Sequence, residues 1–209
     1  MDTPTQDNYP TSNNEGARIH KPGELYNETF NEVLSGLLYA LKLHQGALDL
    51  VTLDEIIEGS SINPITLEQY YSSSKTIMYE VLSDLQAAIH TAEVESFGYE
   101  PKDAIQILLI RLAKYPLHLK VILATDNKNT WEKNLKSILK RIASDWHTED
   151  DATWNEVFTV FCFQFHLVIK AWSRSDFDTQ ELPIMVRHVM AWIEGDGVYL
   201  INITAADKK

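Results

Sequence analysis

Asn63, Ile65, Thr66, Glu68 and Gln69 fall within seven consecutive positions. A short helix there would turn them outward together, and amide and hydroxyl side chains so arranged are the kind that meet base edges in a DNA groove. The flanking residues supply the frame. Thr52 followed three residues later by Glu55 is a capping box, which predicts a helix from about Leu53. Gly59-Ser60-Ser61 weakens that helix, and Asn63-Pro64 caps a second one that runs to about Tyr70. Leu53, Ile56 and Ile57 would then bury against Ile62, Leu67 and Tyr71. Two short helices about a tight turn form the skeleton of a helix-turn-helix, whose second helix normally enters the major groove.

Charge points the other way. From Gly23 to Glu80 there are two basic residues, Lys42 and Lys75, against nine acidic ones, a net of −7. The whole chain carries −12. Duplex binding draws most of its affinity from cations that displace counterions at phosphates. An acidic face instead favours basic partners.

The order of residues resembles the amino-terminal domain of the tetracycline-repressor-like (TetR/AcrR) transcriptional regulators. The run from Thr52 to Tyr71 follows that pattern without a gap, with Ile56, Ile62, Asn63, Thr66 and Tyr71 in the family's places. Lys75 arrives one residue late, and Ile77 or Met78 stands for the leucine that follows it. The family's Ala-Gly turn is Ser60-Ser61 here, its small residue after isoleucine is Ile57, and its recognition-helix tyrosine is Glu68. The resemblance implies a homodimer that binds double-stranded operator DNA under the control of a small-molecule effector. In such a protein Asn63, Thr66 and Gln69 would contact bases, while Thr52, Tyr70, Tyr71 and Lys75 would hold phosphates. Two other readings stand beside it: the same fold without DNA affinity, acting as a ligand-responsive co-regulator or interaction protein, and an unrelated all-helical enzyme or carrier.

Periodicity beyond this segment is helical almost throughout, which predicts an all-α fold of about nine helices. A three-helix head over 23–74 is expected, then an effector-binding and dimerisation body over 75–197. Residues 1–22, rich in Asp, Asn, Thr, Ser and Pro, read as a disordered tail, and Val198–Thr204 as an extended segment within 198–209. Body helices are expected over 101–115, 116–125, 129–146, 152–173 and 179–194. Trp154, Phe158, Phe161, Phe165, Val168 and Trp172 recur every three or four residues, and Leu182, Ile184, Met185, Val189, Met190, Trp192 and Ile193 form a second stripe. A single chain would expose much of this surface, so the two helices are expected to pack against their copies in a homodimer. Tyr115, His118, Trp131, Phe158, Phe161 and Gln164 are the expected lining of an effector cavity, since such pockets are apolar with few polar groups.

Half of the 18 basic residues lie between Lys102 and Arg141, on the body rather than the head. The single cysteine, Cys162, sits in an apolar run, so it reads as a buried structural thiol in a cytoplasmic protein. No Gly-rich phosphate loop, nucleophile elbow or metal-spaced Cys and His set appears, so neither catalysis, a metal nor a cofactor is expected. No stretch is long and apolar enough to suggest a membrane span.

Overall fold

The computed structural model describes residues 24–125, Lys136, Leu139 and residues 151–193. Among them it is all-helical, with eight α-helices, three short 3-10 turns and no strand. The helices are α1 (Glu24–Leu43), α2 (Leu53–Glu58), α3 (Pro64–Tyr70), α4 (Ser74–Glu95), α5 (Pro101–Leu112), α6 (Pro116–Ala124), α7 (Asp151–Trp172) and α8 (Leu182–Ile193). The expected helix over 129–146 lies outside the described residues except at Lys136 and Leu139, which are both helical. The tail over 1–22 and the segment Val198–Thr204 also lie outside them.

Local chemistry sets the boundaries. α1 ends where Gln45 and Gly46 take left-handed backbone angles, φ 52° and 94°. The amide of Gly46 donates back to the Leu41 carbonyl at 2.8 Å and that of Gln45 to Lys42 at 3.4 Å, which satisfies carbonyls the helix would otherwise leave open. Asn63 and Ser73 cap α3 and α4 through their side chains, and proline occupies the first turn of α3, α5 and α6.

One continuous apolar core joins the elements. α1 is the common member, lying against α2 on one side and α6 on another. α4 packs on α5, α5 on α8, and α8 on α7. Where α1 crosses α2 there is no room for a side chain: a Cβ on Gly36 would overlap the backbone carbonyl oxygen of Ile56. At the far end Trp172 is fully buried, edge-on to Phe177 at 5.5 Å, with its indole N–H donating 2.8 Å to the Asp178 carbonyl. That contact fixes the corner from α7 into α8. Lys120 pairs with Asp176 and ties α6 to the same corner.

The aromatic stripe of α7 is covered largely within the chain. Phe161, Phe165, Val168 and Trp172 are buried, as are Leu182, Met185, Val189 and Met190 of the facing stripe. What remains open on these helices is Phe163 at 55%, Val160 at 45% and Ile184 at 47%. Among the described residues of the two stripes, intrachain packing buries all but Ile184 and the half-buried Trp192. The side chains of Trp154, Phe158 and Ile193 lie outside the described residues.

The close approach at Gly36 predicts that Gly36→Ala destabilises the protein. Gain of helix propensity works in the opposite direction by about 1 kcal/mol, so a net loss of about 1–3 kcal/mol is expected from the forced separation of α1 and α2. Urea denaturation followed by circular dichroism measures it, and a stabilised variant would contradict the contact.

Candidate functional site

The helix pair forms as its caps dictate. Thr52 Oγ1 accepts from the Glu55 amide at 3.3 Å and donates to Glu55 Oε2 at 3.0 Å, while the Thr52 amide donates to the same oxygen at 2.9 Å. His44 Nε2 meets the other carboxylate oxygen at 2.8 Å, reaching across from the end of α1. Hydrogen bonds from the Thr52 backbone and from His44 hold the Glu55 carboxyl below its ordinary range. The turn closes through the Gly59 amide on Glu55 and the Ser60 amide on Ile57. Asn63 Oδ1 then accepts from the Ile65 amide at 2.9 Å to start α3.

Packing sorts the seven side chains expected to touch DNA. Ile56, Ile62 and Leu67 turn inward and are buried. Asn63 and Gln69 are exposed, Thr66 is half-buried, and Tyr70 is 55% exposed, with Ile65 more open at 66%. Thr52 is exposed but its hydroxyl is engaged in the cap. Tyr71 departs from the expectation. It is buried, its ring stacks on Phe30 at 6.3 Å, and its hydroxyl donates to Glu80 Oε2 at 2.9 Å. A phosphate-holding role does not fit that position, because the side chain serves the core that joins α1, α3 and α4. Lys75 also differs from a free phosphate contact. Its Nζ lies 2.8 Å from Asp49, and that carboxylate raises the lysine's pKa.

Of the expected cavity residues, two are in direct contact. Tyr115 and His118 meet edge to face at 5.1 Å, and His118 meets Phe30 at 5.4 Å, between α6 and α1. His118 is buried, with Nε2 3.1 Å from Asp84 of α4. Phe161 packs instead against Phe165, centroids 6.3 Å apart, on α7. Gln164 is half-buried, and its Oε1 is a buried atom with no hydrogen-bond partner. Trp131 lies outside the described residues, as does the side chain of Phe158.

A groove of about 770 Å³ runs between α5 and α8, with Lys102, Gln106, Arg187 and His188 among its walls and none of the expected cavity residues. Sequence reading passed over it because its two halves are some eighty positions apart. The only local signal was the four-residue spacing of Lys102, Gln106 and Ile110. Burial, and then the neighbouring Arg187, lower the pKa of His188 from its ordinary 6.5. Burial pushes the Cys162 thiol up to about 12.

Two measurements follow. Cys162 should react with a thiol-specific disulfide reagent at neutral pH only on unfolding, since the nucleophilic thiolate is suppressed in the native protein; rapid labelling of the native chain would contradict this burial. His188, held below 6.5 when folded, takes up its proton first in the unfolded chain. Stability should therefore fall as pH drops from about 7.5 to about 5.5, and melts of His188→Gln should show a shallower fall than the parent.

Against protein-family models, curated proteins and solved structures alike, the comparisons found no match for this chain.

Proposed function

We propose that the chain is a transcriptional regulator of the tetracycline-repressor type, a homodimer whose α3 reads operator DNA and whose body answers to a small-molecule effector. The observation that carries this reading is the capped α2–turn–α3 unit, seated on α1 with Ile65, Gln69 and Tyr70 turned outward. Its residue pattern is that of the family's reader, as set out from Thr52 to Tyr71. Because α1 touches both α2 and α6, a ligand that shifts the body has a packed path to the head. The open side chains Val160, Phe163 and Ile184 give the two copies an apolar contact.

A second reading keeps the fold but gives the head a basic protein as its partner. It is favoured by the pairing of Lys75 with Asp49 and by exposed Asp54, Glu58 and Glu68. Selection from a random duplex pool at low ionic strength separates the two. The first reading expects an enriched, dyad-symmetric site bound with salt-dependent affinity. It also expects Asp49→Asn, which releases Lys75 and removes a negative charge, to tighten binding by about three- to tenfold. No enriched site, together with no gain from Asp49→Asn, would rule out DNA reading by this helix.

A further inference from the structure

The groove between α5 and α8 has a chemistry unlike the rest of the surface. In a chain with 30 acidic and 18 basic residues, no carboxylate lines it among the described residues. Its polar groups are Lys102, Gln106, Arg187 and His188, with Thr179 at one end. Lys75, Arg111 and Lys120 each hold a carboxylate, whereas Lys102 and Arg187 make no ion pair among the described residues. Two cations and an adjacent imidazole are thus gathered on one groove without counter-charge. A bound anion would supply the counter-charge.

The walls also grade in polarity. Lys102, Gln106 and Ile110 follow one another at four-residue spacing on α5, so one helix face passes from cation through amide to alkyl over about 12 Å. On α8, Leu182, Val186 and Met190 add apolar lining. The volume falls in the range of small-molecule sites, which are mostly apolar with a few convergent polar groups. An acidic head group without an apolar body would leave Ile110 and Met190 unused, and a neutral apolar molecule would leave the cations unmatched.

We propose that this groove binds a small amphipathic carboxylate, its acid group held by Lys102 and Arg187 and its apolar body lying over Ile110 and Met190. This names the ligand class for the effector-responsive body proposed above. It does not depend on whether the head reads DNA.

The test is calorimetric titration of decanoate, below its micelle-forming concentration, into the full chain without DNA, with decanol as the uncharged counterpart. Saturable binding of decanoate is expected, with decanol weaker by about tenfold or more. The double variant Lys102→Gln, Arg187→Gln should weaken decanoate by a similar factor, the loss of two charge-assisted hydrogen bonds. Both side chains are exposed, so the melting curve of that variant should match the parent. The ring proton resonances of His188 should shift on saturation. The proposal is overturned if decanoate fails to saturate, if decanol binds equally well, if the double variant binds undiminished, or if His188 does not respond. Since DNA is absent throughout, failure here leaves the head's activity untouched, and failure of DNA selection leaves this groove untouched.

Discussion

The packing of α1 against two neighbours at once is the constraint on which the remaining structure depends. α1 covers α2 on one side and α6 on another, and it does so at backbone distance where Gly36 lies under the Ile56 carbonyl. Without that close approach, Ile56 and Leu67 would not reach the interior beside Leu34 and Leu37, all four of which are fully buried. A pair of helices as short as α2 and α3 is marginal alone in water, so their geometry is borrowed from the longer helix beneath them. Phe30, Tyr71 and His118 extend the same contact into the body, which makes the junction between the two expected domains part of a single core.

Electrostatics divides the molecule along a different line. On the head, carboxylates dominate and Lys75 is held by Asp49. On the body, Arg111 is gripped by Glu95 through two donors, with Nε 2.7 Å from Oε2, and Lys120 by Asp176, while Lys102 and Arg187 face the α5–α8 groove. Lys102 and Arg187, which make no ion pair among the described residues, therefore lie away from the helix that resembles a DNA reader.

How far the fold was legible depends on the range of the interaction concerned. The capping box at Thr52 and Glu55, the Asn63 cap, the prolines opening α3, α5 and α6, and the end of α1 near Gly46 all appear where local chemistry put them. These signals act within about one turn of chain, so residue order is enough to reveal them. The site was less readable. Tyr71 matched a motif position yet faces inward, because Phe30 and Glu80 meet it from distant elements. In the aromatic stripe of α7, Phe161, Phe165 and Trp172 are buried within the chain, where α8 packs on α7.

By itself, then, residue order determined that the chain is helical, where its helices begin and end, which faces are apolar, and that acidic charge collects on the first eighty residues. Only the tertiary structure decided that Lys75 pairs with Asp49, that His118 meets Asp84, and that Lys102 and Arg187 share a groove across some eighty-five positions. The reason is physical. Periodicity and caps are properties of neighbouring residues, whereas ion pairs and grooves depend on which helix faces are brought together by burial of the whole core.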